Sequence, residues 1–400
     1  MNYSDSPNRI EKQFDHYLDD SSDIVALRLS QNLEPVDPSG IIYPPTYADI
    51  GYNIDTLADG RKVALIDSVG SQANRMEPIF KSASPNISDW LVPQVKIVIR
   101  EQPSKVVVSL LDLAHRAADA VVQSTPDLAE LVTESLRSLQ RGDAYPLCTI
   151  APTSLVFGVW DSRGETGVKR PRIVRSVIRA WDVEVLHSAA QFNSIWKRLT
   201  EQEQNELLKA AAAQDAEKLS KKGLADAPAV FRPRAKNKYR DDGLPNPEAR
   251  VLGGVLVKGE VRRDVTVNLL ALRQLSGEDA QKTREIRRYL LGLSLLAATH
   301  EMDLFLREGC LLRYQDESDE WFEIPRRGAP RAVSLRAFRE VQAYAKEVAG
   351  PFREKWPVVF SMQKNDQARS QSDVTPRFEY RFDLNEAKKL AKKKTAEDAE

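Results

Sequence analysis

Basic side chains that recur at short spacing, interleaved with aromatics and punctuated by glycine and proline, are the groups in this chain with chemistry to offer. That chemistry is the binding of phosphates. The densest stretch lies between Trp160 and Trp181, WDSRGETGVKRPRIVRSVIRAW, where over residues 163–179 Arg163, Lys169, Arg170, Arg172, Arg175 and Arg179 stand against the single acid Glu165. With Pro171 at a first helical position, Arg172, Arg175 and Arg179 fall at i, i+3 and i+7 on one stripe. If the segment is instead a strand, Arg175 and Arg179 still share a face. Like charges this close repel unless an anion lies between them, and an extended phosphate backbone would serve; a solvated basic face is the plainer alternative.

A second stretch, Val63 to Glu77, reads VALIDSVGSQANRME. A buried strand ends at Asp67, Gly70 permits a tight turn, and Ser71 opens a helix whose first turn carries Gln72, Asn74 and Arg75. Free N–H groups at a helix start attract anions, and Arg75 adds a bidentate donor. A capped helix whose Asn and Arg make internal hydrogen bonds is an equal reading, and the residues alone leave both open. The third stretch, Phe231 to Arg240 (FRPRAKNKYR), alternates Lys236 and Lys238 with Phe231 and Tyr239, the pattern of an arm that tracks a backbone and stacks on bases. A basic linker would look the same. Arg262 and Arg263 form a further pair after Val257.

Catalytic chemistry is poorly supplied. His16, His115, His187 and His300 are scattered, and neither Cys148 nor Cys310 has a metal-ligand partner at usable spacing. There is no GxxxxGK[ST] loop and no GxSxG elbow. Asp67-Ser68 and Asp161-Ser162 follow strands without a base or orienting group nearby, so turn and capping roles are expected. The reading is therefore of no catalytic residue, no metal and no cofactor.

The elements that must position these residues are mixed. Strands are expected near Ile24–Leu29, Lys62–Asp67, Val95–Ile99, Val106–Val108, Thr153–Trp160, Trp181–Leu186, Val251–Val267 and Phe378–Phe382, with a hairpin at Leu311–Tyr314 and Trp321–Ile324. Helices are expected over Ser71–Lys81, Leu110–Gln123, Asp127–Gln140, Glu201–Ser220, Glu278–His300 and Leu335–Val348. Gly253-Gly254 marks a bulge or a close backbone approach. Without regular strand–helix alternation, this favours α+β. One domain over 1–385 is expected, with a Pro/Gly-punctuated insertion near 224–250 and a charged, disordered tail at 386–400.

The chain has 400 residues with 58 Lys+Arg against 58 Asp+Glu, and 42% of it is hydrophobic. It can bury a core, and two distant cysteines exclude a disulfide scaffold. The polar, acidic start is no signal peptide, and the apolar run Tyr289–Ala298 is about half the ~20 residues a bilayer needs. These features point to a cytoplasmic protein without a membrane partner. The zero net charge hides strong blocks: residues 1–60 carry net −8 and 300–323 net −6, whereas 163–179 carry +5 and 216–263 and 324–370 carry +6 each. Such blocks predict a polarised surface on which one copy can meet another.

Several strings together, IIYPPTY at 41–47, IDSVGSQANRME at 66–77, GVWDSRG at 158–164, KRPRIVRS at 169–176 and VLGGVLVKGEVRR at 251–263, carry a resemblance. The chain resembles the crRNA-binding backbone subunits (Cas-seven type, Csb family) of type I-G CRISPR Cascade complexes, the subtype formerly called I-U. The resemblance spans residues ~25–270. It implies a RAMP-superfamily protein with a modified RRM-like (ferredoxin-like) core bearing large helical and loop insertions. Such subunits polymerise along a crRNA, each with a thumb that interrupts the guide, and leave cleavage to a separate nuclease. The implied partners are crRNA, the target DNA strand through the guide, further copies of the chain, the large subunit and the crRNA-end-binding subunits. Matched residue by residue, Ser71, Gln72, Asn74 and Arg75 are the first implied crRNA contacts, then Lys169, Arg170, Arg172 and Arg175, with Arg179 continuing that stripe, then Arg262 and Arg263. The thumb is assigned to 224–250 from composition, with Phe231, Lys236, Lys238 and Tyr239 as its stacking candidates. The alternative function is a metal-dependent RAMP endoribonuclease cutting guide-paired target RNA, with Asp67 or Asp161 as metal ligand.

Overall fold

Along Ile24–Pro35 and Val261–Asn268, buried and half-open side chains alternate, the mark of strands with one covered face, and these two strands are the spine of the fold. The computed structural model describes residues 12–47, 50–162, 164–187, 198–212, 252–316, 319–334, 338–360 and 378–397. In chain order its main sheet comprises β1 (Ile24–Pro35), β2 (Ile54–Thr56), β3 (Lys62–Asp67), β4 (Val174–Trp181), β5 (Val261–Asn268), β6 (Phe305–Arg307), β7 (Cys310–Tyr314), β8 (Glu320–Pro325) and β9 (Arg331–Ala332). The path is β6-β7-β1-β5-β4-β3-β2, and every pairing along it is antiparallel. On the free edge of β1, β8 pairs with the first half and β7 with the last residues.

Four of these strands lie side by side as β8-β1-β5-β4. In order along the chain that is fourth, first, third, second, with a helical connection after the first and after the third. Between the second and third, the chain turns at Asp182 (φ +52) and runs out along Val183–His187, which pairs with the returning Leu252–Val257. Gly254 lies where any Cβ would stand 2.6 Å from Ile41 Cγ2, so the expected close approach is real.

Helices α1 (Val69–Met76), α2 (Pro126–Gln140), α3 (Ala280–Thr299) and α4 (Phe338–Val348) supply the cover. The apolar run Tyr289–Ala298 is the buried middle of α3, packed on β4 and β5 and against α4. Burying each leucine there contributes roughly 1.5–3 kcal/mol, and Gly292 lets α4 approach to 3.1 Å from a would-be Cβ. No helix among the described residues is long and apolar enough to cross a membrane.

Helices mixed with antiparallel sheets match the expected α+β class. Several local expectations fail for identifiable reasons. The helix expected over Leu110–Gln123 is three short turns, because Arg116 takes φ +53 and Asp119 caps a new start at Ala120. Thr153–Trp160 is a helical turn, Thr153–Val156, then a short strand, Val159–Trp160, with Gly158 at φ +88 between them. The helix expected over Ser71–Lys81 starts earlier, at Val69 behind the Ser68 cap, so Gly70 is helical rather than a turn, and it ends at Met76 and continues as a 3-10 turn. Residues 174–181 form a strand, so the three-arginine helix stripe does not exist. Val251–Val267 is two strands broken at Lys258-Gly259. The tail, expected to be disordered, is helical over Leu384–Glu397.

Candidate nucleic-acid interface

The implied contact residues divide into a buried set and an open set. The buried set centres on α1. Ser68 caps it, its Oγ accepting from the Ser71 N–H at 3.2 Å, which satisfies a donor that would otherwise face an anion. Asp67, 1% exposed, accepts from Gln72 Nε2 at 2.7 Å and from Arg75 Nε at 3.2 Å, with the Arg307 guanidinium 3.6 Å away. Arg75 also donates to the Leu306 carbonyl at 2.7 Å. Gln72 is fully buried, its Oε1 accepting from Ser176 Oγ at 2.8 Å.

Arg263 completes this set and is itself fully buried. It donates to Gln31 Oε1 at 2.5 Å, the Ala298 carbonyl at 3.1 Å, Ser176 Oγ at 3.2 Å and Gln72 Oε1 at 3.4 Å. Its acceptors are neutral, and Gln31 relays to Asp319 through a 2.9 Å hydrogen bond. Burial pulls the guanidinium below its ordinary pKa. Gln72 and Arg263, expected as crRNA contacts, are therefore withdrawn from the surface and tie α1, β1, β4, β5 and the end of α3 together. The alternation Val261, Arg263, Val265, Val267 already placed Arg263 on the apolar face and Arg262 on the other.

The open set lies on a hairpin and the strand that follows it. Trp160 pairs with Lys169, and Val159 with Arg170. The Lys169 ammonium sits 4.7 Å from the centroid of the Trp160 ring. Arg172 and Arg175 are exposed, and Arg179 is half-buried. None of Lys169, Arg170, Arg172, Arg175 and Arg179 has a carboxylate partner among the described residues. The strand alternative for this segment holds: Arg175 and Arg179 share a face, opposite Thr266 and Arg262 of β5. Arg262 is spoken for by Glu260 at 2.6 Å and Asp264 at 3.0 Å, and its guanidinium lies 5.2 Å from the Trp181 ring centroid.

Asn74 and Arg116 join the two sets. Asn74 is exposed, and its Oδ1 accepts from Arg116 Nη2 at 3.4 Å. Arg116, nearly buried and left-handed in its backbone, pairs with the buried Glu77 at 2.6 Å and lies 5.2 Å from the Phe157 ring centroid. Desolvation pulls Arg116 below its ordinary value, Glu77 opposes that, and the like charge of Arg172 adds to it. Burial pushes the Glu77 carboxyl up to about 7 despite the Arg116 partner. Sequence reasoning missed Arg116, Glu77 and Trp160 as parts of the site. Trp160 carried a signal, an aromatic at the head of a basic run; the buried pair carried none, since Glu77 and Arg116 meet only in three dimensions.

Neither acid proposed as a metal ligand is open. Asp67 is enclosed by Gln72 and two guanidiniums, and Asp161, 3% exposed, accepts from Gln123 Nε2 at 3.1 Å and from the Thr166 N–H and hydroxyl. Among the described residues, no group of three or more His, Cys, Asp or Glu could hold a metal ion. Phe231, Lys236, Lys238 and Tyr239 lie outside the described residues, as does the whole of the expected insertion at 224–250.

No curated protein matches the chain. Residues 27–185, a span that includes most of β1 and all of α1, the Trp160 hairpin and β4, match the model of the family described as CRISPR-associated protein GSU0053 (Cas_GSU0053), and that match supports a CRISPR-associated protein.

Proposed function

We propose that the chain is a non-catalytic, crRNA-binding filament subunit of a type I CRISPR surveillance complex, of the type I-G backbone kind. The family match supports a role in CRISPR defence. The observation that carries the finer reading is the run of five basic residues, Lys169 to Arg179, without a carboxylate partner among the described residues. Among the described residues Arg75, Arg116, Arg262, Arg263 and Arg307 around the site are paired or buried; here the charge is left for an anion, and the sugar-phosphate backbone of RNA supplies one. The β8-β1-β5-β4 arrangement, fourth-first-third-second along the chain, supports an RRM-like core. The extension Val183–His187 with Leu252–Val257 stands between its second and third strands, which supports an arm projecting from that core. Guide–target pairing would supply sequence specificity, with the protein reading backbone and shape.

Sequencing the nucleic acid that co-purifies with the full chain tests this. Uniform small RNAs with repeat-derived ends are the expected result, with affinity that falls steeply with salt and little with RNA sequence. Heterogeneous cellular RNA would remove the crRNA assignment. Cleavage of a complementary RNA by the assembled complex with Mg²⁺ or Mn²⁺ would remove the non-catalytic one.

A further inference from the structure

Among the described tryptophans, Trp321 and Trp356 are buried, Trp90 and Trp181 are half-buried, and Trp160 is 59% exposed. A singly exposed apolar residue is ordinary in itself. What distinguishes Trp160 is its surroundings. Lys169 occupies one face of the indole, and Arg170, Arg172 and Arg175 follow within six residues of that lysine, all without a described carboxylate partner. An aromatic face among unpaired cations is the composition of a single-strand binding surface, in which cations hold the backbone and the ring takes a base.

The hairpin that carries the indole is built to hold it still. Val159 and Val168 are buried beneath it, and Asp161 N–H donates to the Val168 carbonyl at 2.8 Å. The buried Asp161 carboxylate gathers Gln123 Nε2, the Thr166 N–H and the Thr166 hydroxyl. Gly164 passes so close to that carboxylate that a Cβ would fall 2.1 Å from Oδ1. Gly158, at φ +88, brings the Arg172 side chain against the hairpin, 2.9 Å from where a Cβ would be. The backbone that carries the ring and the stem of Arg172 are thus held in fixed relation, which lowers the ordering cost of binding.

We propose that Trp160 is a nucleobase-stacking residue: one unpaired base of a single-stranded nucleic acid seats on its open face while Lys169 and Arg172 hold the flanking phosphates. This rests on the nucleic-acid reading of the interface. The contact is sequence-tolerant, since every base has a π-face.

The test uses the full chain, stripped of co-purified RNA at high salt, titrated with a short oligouridine over a series of salt concentrations. Trp160→Ala is expected to weaken binding about five-fold or more, with the unfolding midpoint and the salt slope unchanged, and Trp160→Phe to retain most of the affinity. Arg172→Ala should instead flatten the salt slope. Wild-type binding with an unaltered affinity in Trp160→Ala overturns the stacking inference alone, as does an equal loss in Trp160→Phe. A change in self-association without a change in RNA affinity would assign the indole to a protein contact and overturn it too. A wild type that binds no oligouridine overturns the interface reading and the inference together.

Discussion

Arg263 and Arg172 are the same side chain in opposite situations. Arg263 spends every donor on amide, hydroxyl, carbonyl and thioether acceptors inside the protein, whereas Arg172 stands exposed with no described carboxylate near it. The first is a structural cross-link between sheet and helices, and its charge is tolerated because five acceptors surround it. The second is charge left in water, where it costs nothing until an anion arrives. Basic residues in the strings that carry the family resemblance therefore stand in two different situations among the described residues: Arg263 is an internal cross-link, and the Lys169–Arg179 run has no described carboxylate partner.

The largest expected effect falls on the buried side. Arg263→Leu should destabilise the chain by about 3–5 kcal/mol, since it strands buried acceptors on Gln31, Gln72 and Ser176, and Arg263→Lys should recover only part of that. Chemical denaturation reads both; a loss within 0.5 kcal/mol would erase the distinction drawn here. Above pH 7, where the Glu77 carboxylate is charged, Glu77→Ala should cost a similar ~3–5 kcal/mol by leaving Arg116 buried without its counter-charge and in a strained backbone.

The same pair predicts a pH dependence. With the folded Glu77 pushed up to about 7, the native state still holds its proton where the unfolded chain has released it. Stability from this group is greatest below the ordinary carboxylate value and falls as pH rises through that value toward 7, by up to about 3 kcal/mol. Denaturation midpoints across that window should slope downward in the wild type, and the slope should shrink in Glu77→Gln.

On the open side the effects move from stability to affinity. The double change Arg172→Ala, Arg175→Ala should leave the unfolding free energy within about 0.5 kcal/mol and reduce the salt slope of RNA binding by roughly two. A double variant that unfolds, or one that binds RNA with an unaltered slope, would place these arginines on the wrong side of the comparison.

Part of this was legible in the residues. The buried strand Lys62–Asp67 was readable from its apolar run and the helix at Ala280–Thr299 from its apolar stretch, whereas the start of α1 was not: Gly70 and Ser71 suggest a turn and a helix start, and Ser68 instead caps a helix that already contains Gly70. Pro171 fits a helix start as well as a strand entry, so the residues leave helix and strand both open for Arg172 to Arg179, and pairing with β3 and β5 decides for the strand. Periodicity, applied strictly, would have separated Arg262 from Arg263 and shown one of the pair to be internal.

The sequence by itself determined which segments carry the charge and which runs form the central strands and the long helix. These follow from local chemistry: side-chain type, period and the torsional limits of glycine and proline. Only the tertiary structure decided which arginines are cross-links and which are open, because that depends on acceptors contributed from far along the chain. Gln31, Gln72, Ser176 and Ala298 reach Arg263 from four separate elements, Glu77 reaches Arg116 across 39 positions, and no window along the chain contains either meeting.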